Sequence, residues 1–218
     1  MGRLKTAVLI SGRGSNLQAL LDYCSTNDAA AEIKLVVSNV PDAIGLRRAN
    51  EAGISTEMIN HKLYSDRETF ESMITKTLKF HNIELVCLAG FMRLLTSGFV
   101  DCWRDRLINI HPSLLPAFKG MKTHERALKS GVRFSGCTVH YVRAEMDSGP
   151  IISQAAVPIH PNDNPDSLAA RVLAAEHRCY SHALSLIARG KTQIVNERVL
   201  IEGNETQDTV LINPDEKF

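Results

Sequence analysis

The stretch Thr6-Ala7-Val8-Leu9-Ile10-Ser11-Gly12-Arg13-Gly14-Ser15-Asn16-Leu17 changes its period part-way along. Thr6–Ile10 is a continuous apolar, β-prone run, the pattern of a strand buried on both faces. Leu17, Leu20 and Leu21 then recur at helical spacing. The glycines between allow a sharp turn and close approach of a ligand to the backbone. Strand, glycine-rich turn and helix in this order open a βαβ unit. The alternation continues outward from there. Ile33–Val37 and Ser55–Ile59 read as strands, and Gly45–Ala52 as a short helix that Gly53 stops at C′. Ser65-Asp66-Arg67-Glu68 has the form of a capping box, and Phe70, Met73, Ile74 and Leu78 continue from it as one helical face. Leu85–Ala89 and Leu107–Ile110 are further strands. This pattern predicts an α/β fold: a single domain with a mainly parallel, Rossmann-like twisted sheet, flanked by helices and joined by right-handed crossovers.

After residue 112 the pattern changes. A proline-containing loop, Pro112 to Gly120, leads to a short helix near Thr123–Ser130. Gly136–Val142 and Ile151–Val157 are β-rich, separated by Arg143–Pro150, which is too long for a tight turn. Ser167–Ala188 is the longest helical pattern. Its apolar face holds Leu168, Val172, Ala175, Cys179, Ala183, Leu186 and Ile187, and Gly190 ends it. Residues 1–190 are expected to form the α/β domain. Residues 191–218 are an extension able to form a terminal hairpin on the same domain.

Composition excludes several classes. The 218 residues hold 25 Lys and Arg against 24 Asp and Glu, so no global field draws the chain to nucleic acid or an anionic membrane. No segment approaches the ~20 apolar residues of a membrane span. The first apolar run is too short for a signal-peptide core. Cys24, Cys87, Cys102, Cys137 and Cys179 are odd in number and form no CxxC, which predicts reduced thiols, no metal site and a cytoplasmic protein. The residues carry no reading of oligomeric state.

Four segments have the chemistry of a site. Gly12 to Asn16 sits where a helix start offers free N–H groups and a positive dipole end to an anion. It lacks the third glycine of a dinucleotide fingerprint and the Gly-Lys-Ser/Thr of a Walker loop, so alone it reads almost as well as a tight capped turn. Ala89 to Leu95 follows the most apolar strand, at the end where parallel sheets bind ligands. Alone, the segment reads better as a helix entry whose Phe91, Met92 and Leu94 simply join the core. Asn109-Ile110-His111-Pro112-Ser113-Leu114-Leu115-Pro116 is the strongest signal. On a strand, Asn109 and His111 share a face, joining an amide donor for an oxyanion to an imidazole that moves protons near neutral pH. Asp147-Ser148-Gly149-Pro150 supplies a carboxylate that could orient His111, but all four residue types are turn formers and on its own the stretch reads first as an ordinary turn. His124, His140, His160 and His177 lack metal-ligand spacing and read as surface or structural. Glu176, beside His177 on the long helix, reads as solvated, with facing the site as the alternative.

Together these segments resemble the phosphoribosylglycinamide formyltransferase family, in order, from about Val8 to Gly190. The Asn-x-His-Pro-Ser-Leu-Leu-Pro block is shared by formyltransferases that use 10-formyltetrahydrofolate. The glycine-rich block with Ser15 and Asn16 points within that group to the glycinamide ribonucleotide enzyme. The resemblance implies roles. Gly14, Ser15 and Asn16 would bind the nucleotide phosphate, and Glu176 would contact the nucleotide. Arg67, Met92, Arg93, Leu94, Leu95 and Asn109 would bind the folate. Asn109, His111 and Asp147 would be catalytic. It also implies 10-formyltetrahydrofolate as co-substrate, glycinamide ribonucleotide as acceptor and no metal. Two positions depart from the pattern: Lys122 stands where many members carry histidine, and Leu173 where several carry a polar contact.

Three rival functions share parts of this pattern. A methionyl-tRNA formyltransferase would carry a further C-terminal domain. Here the chain ends soon after the long helix, and Glu202, Glu205, Asp208, Asp215 and Glu216 make its end acidic, so a small acceptor is expected rather than nucleic acid. A formyltetrahydrofolate hydrolase would carry an N-terminal regulatory domain. A non-enzymatic nucleotide-binding module would leave Asn109, His111 and Asp147 without a reason.

Overall fold

The computed structural model describes residues 2–203 and 210–214. The opening run becomes β1 (Leu4–Ile10), and its alternate residues go to opposite sides of the sheet. Val8 and Ile10 join one core; Ala7 and Leu9 join the other. This explains the unbroken apolar run: a strand covered on both faces has no side left for polar residues. The chain continues through α1 (Ser15–Cys24), β2 (Ala31–Ser38), α2 (Ile44–Glu51), β3 (Ser55–Met58), a 3₁₀ turn at His61–Leu63, α3 (Arg67–Phe80), β4 (Leu85–Leu88), α4 (Ser97–Cys102) and β5 (Leu107–His111). Then follow α5 (Thr123–Ser130), β6 (Phe134–Tyr141), β7 (Ile151–Pro158) and α6 (Pro165–Ala188).

One seven-stranded sheet runs β3-β2-β1-β4-β5-β6-β7. The first five strands are parallel; β6 and β7 are antiparallel additions. The expected mainly parallel α/β fold is present. α1 and α6 cover one face, where Leu17, Leu20, Val172, Cys179 and Ala183 meet Val8, Val36 and Ile108. α3 and α4 cover the other, with Phe70, Ile74, Leu78, Phe99 and Trp103 against Leu9, Val37 and Val86. The chain passes from β3, at one edge, back across β1 to β4, so strand order reverses between β1 and β4. Such a switch point opens a crevice at the C-terminal strand ends.

Beyond α6, β8 (Thr192–Val195) and β9 (Arg198–Ile201) pair as a separate antiparallel hairpin. Its turn residues Asn196 and Glu197 both have positive φ, the requirement of a type I′ turn. Of the acidic positions near the chain end, Glu205, Asp208, Asp215 and Glu216 lie outside the described residues.

Three local expectations are corrected. The cap of α3 is Asp66, not Ser65: the Asp66 carboxylate accepts from Thr69 N at 2.7 Å, and Ser65 Oγ donates to the same carboxylate. Ser-x-x-Glu and Asp-x-x-Thr are offset by one residue, and the carboxylate is the better acceptor. The buried stripe of α3 is Phe70, Glu71, Ile74 and Leu78, while Met73 is exposed. The buried stripe of α6 is Leu168, Val172, Glu176, Cys179, Tyr180, Ala183 and Leu184, rotated from the expected face. Two polar-tipped residues are responsible, each with a hydrogen-bond partner: Tyr180 Oη donates to Leu88 O at 3.0 Å, and Glu176 accepts from Asn16. Among the described residues no helix is long and apolar enough to cross a membrane.

Candidate active site

The crevice at the switch point holds a cavity of about 230 Å³, lined by Ser11 through Asn16 with Ala89, Gly90 and Met92. Its floor is the turn from β1 into α1. Gly14 has φ 69°, which L side chains rarely adopt, and a Cβ there would lie 2.8 Å from the Gly45 Cα. The turn rests directly on the first residues of α2, where Gly45 N donates to Gly12 O at 3.0 Å. Arg48 of α2 adds a second tie, its Nε donating to Arg13 O at 3.0 Å. The helix begins at Ser15 without a side-chain cap, so its first N–H groups face the cavity's end of α1. An anion suits those groups. Asn16 Nδ2 donates to Glu176 Oε2 at 2.7 Å, which brings α6 to the same edge. Burial pushes the Glu176 carboxyl above its ordinary range, and the Asn16 bond opposes that shift. Glu176, which read from the helix alone as solvated or facing the site, is buried and adjoins the turn.

Along the next strand end, Met92 and Leu94 are exposed apolar side chains on an irregular segment, with Arg93 and Leu95 half-buried. Met92 N donates to Ser11 Oγ at 2.8 Å. The segment's far end is held by Glu71: its carboxylate accepts from Thr96 N at 3.0 Å and from Thr96 Oγ1. Arg67 lies one turn before Glu71, exposed at the start of α3. That brings the α3 N-terminus toward the 92–96 segment.

A third group sits at the end of β5. Asn109 and His111 occupy the same strand face two residues apart. The sheet pairs Asn109 directly with His140 on β6, and Asn109 Nδ2 lies 3.4 Å from His140 Nε2. His140 Nδ1 is 3.0 Å from the Tyr141 carbonyl, so Nδ1 carries the proton and Nε2 is free to accept. Burial lowers the His140 pKa and keeps the ring neutral, which suits that role. His111 Nδ1 is 3.4 Å from Asp147 Oδ2, and His111 Nε2 is 3.1 Å from the Phe118 carbonyl. Both nitrogens face oxygen acceptors, an arrangement that only the imidazolium satisfies on both sides.

Asp147 comes from the loop between β6 and β7. It has φ 51°, an unfavourable region for a non-glycine residue, and its Oδ2 accepts from Gly120 N at 2.8 Å. The loop folds tightly onto its own stem: a Cβ on Gly149 would lie 1.6 Å from the Tyr141 carbonyl oxygen. The loop's root is held by Arg143, which binds Asp105 at 2.8 Å and Glu197 of the β8–β9 turn at 2.6 Å. Opposite, Thr138 Oγ1 donates to Ser113 O at 2.7 Å and accepts from Leu115 N at 3.0 Å, fixing the Pro112–Pro116 segment. Strain around one histidine, at Phe118, Lys122 and Asp147, is what a site held by its surroundings carries.

The structure thus brings Asn109, His111 and Asp147 into one cluster, with the Gly14–Asn16 turn, Glu176 and the Met92–Leu95 segment along the same edge. Two neighbours escaped the sequence analysis. His140 touches Asn109, and its Nε2 is 3.9 Å from Asp147 Oδ1. His124, on α5, feels the His111 charge, which together with burial lowers its pKa. The only signal for His140 was its place on a β-rich stretch; the pairing register needed to use it is not written locally.

Residues 4–184 match the formyl transferase family. The phosphoribosylglycinamide formyltransferase of Escherichia coli is 40% identical over 200 residues, covering 92% of this chain and 94% of that protein. The chain belongs to this family of formyl transferases. A solved glycinamide ribonucleotide transformylase from Symbiobacterium toebii superposes with a TM-score of 0.89 at 43% identity, covering 91% of this chain and 94% of that one. The trifunctional purine biosynthetic protein adenosine-3 of Gallus gallus is 49% identical over 192 residues. The formyl transferase chain covers only 19% of that longer protein's length. Within the formyl transferase fold, the cavity, the 92–96 segment and the β5 cluster occupy three adjacent strand ends.

Proposed function

We propose that the chain transfers a formyl group from 10-formyltetrahydrofolate to the glycine amine of glycinamide ribonucleotide, giving formylglycinamide ribonucleotide and tetrahydrofolate in de novo purine biosynthesis. The observation that carries this reading is the cluster of Asn109, His111 and Asp147 on the sheet edge that also bears the Gly14 turn. In this reading Gly14, Ser15 and Asn16 take the phosphate on backbone N–H groups, and Glu176 contacts the nucleotide beside Asn16. Met92 and Leu94 offer apolar surface to the folate ring, and Arg93, Leu95 and Arg67 complete its binding segment. The donor brings an already activated one-carbon group.

The chain's own work is then electrostatic and protonic. As the neutral amine attacks, charge develops on the formyl oxygen, and the proton the amine sheds replaces the one that His111 gives to the leaving folate nitrogen, so the imidazolium is restored when the old C–N bond breaks. The Asn109 amide, held by His140, donates to it. Asp147 holds His111 at Nδ1, which leaves Nε2 as the nitrogen that gives its proton to the departing folate nitrogen. The same nitrogen lies 3.1 Å from the Phe118 carbonyl, an acceptor for that proton. A cytoplasmic location accompanies this reading, with which the five unpaired cysteines agree.

The test is an assay with 10-formyl-dideazafolate and glycinamide ribonucleotide, with methionyl-tRNA as competing acceptor. Formylation of the small acceptor alone is expected. Comparable transfer to tRNA, or hydrolysis of the donor without an acceptor, would sink the reading.

A further inference from the structure

The cavity turn and the 92–96 segment are joined by one side chain. Ser11 ends β1 and leads into Gly12, so it belongs to the turn. Its backbone N donates to Gly90 O at 3.2 Å, and its Oγ accepts from Met92 N at 2.8 Å. A hydroxyl has one proton to give, and here it goes to Asn39 Oδ1 at 2.6 Å. Asn39 is 2% exposed and lies just past β2, on the far side of β1 from Met92. It does not itself line the cavity, and it reaches it through Ser11. Its backbone is tied at both ends, its N donating to Ile10 O at 3.4 Å and its carbonyl accepting from His61 Nδ1 at 3.0 Å, so the residue that carries the amide is itself held. A buried amide that spends its acceptor on one serine hydroxyl sets which way the hydroxyl's lone pairs face. They face the Met92 amide. Met92 is otherwise an exposed residue on irregular backbone, the kind of segment that wanders without such a tie.

We infer that Ser11 and Asn39 are positioning residues for the folate segment: Asn39 orients the Ser11 hydroxyl, which holds the Met92 backbone in place beside the cavity turn. The inference rests on the folate assignment of Met92–Leu95 made above. Because neither side chain contacts the β5 cluster, their loss acts on donor binding and leaves proton transfer alone.

The experiment is isothermal titration of the full chain with a 10-formyl-dideazafolate analogue and, separately, with glycinamide ribonucleotide. Ser11→Ala is near-isosteric and should weaken the folate analogue by about tenfold, the scale of one lost positioned hydrogen bond. The nucleotide Kd should move less than about twofold, within the spread of a lost neutral contact. Asn39→Ala should weaken the analogue in the same direction and by less. The double variant should be no worse than Ser11→Ala, since both act through one bond. Thermal melts identify loss of fold; should Asn39→Ala not fold, the near-isosteric Ser11→Ala decides. Unchanged analogue affinity in Ser11→Ala overturns the inference, as does a loss confined to the nucleotide or additive losses in the double variant. A wild-type chain that binds no folate analogue overturns the folate assignment and this inference with it; normal wild-type binding with an indifferent Ser11→Ala overturns this inference alone.

Discussion

The turn after β1 and the cluster after β5 lie on one edge of the sheet, yet they are built by different means. The turn is backbone. Gly14 and Gly45 meet in closer contact than any side chain allows, and its shape follows from residues adjacent in sequence plus one packed helix. The cluster is side chains from three places: β5, β6 and the strained loop at Asp147, joined only once β6 pairs with β5 in the right register. A backbone site tolerates side-chain change and fails when the chain cannot bend. A side-chain site fails one residue at a time. The difference predicts separate kinetic signatures for the two regions.

The largest effects belong to the cluster. Asn109→Ala should lower kcat by ~10²–10³, the scale of one oxyanion donor. Asp147→Asn should lower it by about 10²-fold or more, with melting temperature little changed, because a positioned acid–base pair loses its orienting charge. Steady-state rates with both substrates saturating check both. Near-normal kcat in Asp147→Asn would reduce the loop to a turn and leave the cluster as Asn109 and His111.

The turn should respond in KM instead. Gly14→Ala must place a Cβ against the Gly45 backbone and hold it in the left-handed region, a strain of ~1–2 kcal/mol before any clash. The KM for glycinamide ribonucleotide should rise about tenfold or more, as that strain equals in binding, while kcat with saturating nucleotide changes little. Ser15→Asp should act the same way by placing a carboxylate at the phosphate position. If folate binding suffered instead, the two subsites would have been assigned the wrong way round.

The same contrast explains what was legible in the sequence. β1 with its turn, α5 at Thr123–Ser130 and the core strands could be read because period, glycine and cap are local properties. Asn109 and His111 shared a face by strand alternation alone. Other features depended on partners far along the chain. His140 enters the site through a register 31 residues away, and Glu176 turns inward because Asn16, 160 residues earlier, gives its carboxylate a partner. Glu71 replaces Met73 on the buried side of α3 because Thr96 arrives to satisfy it. A carboxylate in a helical pattern reads as solvated until its donor is known. The rank of buried polar residues therefore waits on the tertiary fold, whereas apolar ones declare themselves.

His140 sharpens the comparison by testing whether the cluster extends to β6. His140→Phe keeps a buried ring and removes the Nε2 acceptor that holds the Asn109 amide. We expect kcat to fall by roughly tenfold, the worth of one hydrogen bond to an oxyanion donor, with both KM values nearly unchanged. Equal loss of kcat and stability across pH, with KM values shifted together, would instead mark His140 as packing.

The smallest effect concerns Glu176, where the two regions meet. Burial is the larger influence on its carboxyl and raises its pKa above the ordinary 4.5; the Asn16 bond works the other way. The folded chain therefore holds that proton more tightly than the unfolded chain. The stability this contributes is full below the unfolded value near 4.5 and is lost as pH rises through the raised folded value. At neutral pH the wild type thus carries a buried carboxylate at a cost. Glu176→Gln keeps an oxygen to accept from Asn16 and removes the charge. Its melting temperature should exceed wild type by ~2–4 °C at neutral pH, as about 1 kcal/mol does in a chain of this size. The gap should close as pH falls toward 4. Nucleotide affinity should move the opposite way, because the carboxylate that destabilises the fold is the one proposed to meet the substrate. Melting curves across pH beside nucleotide titrations separate these outcomes. A variant that gains stability without losing nucleotide affinity would make Glu176 a structural partner of Asn16 and confine nucleotide binding to the backbone turn.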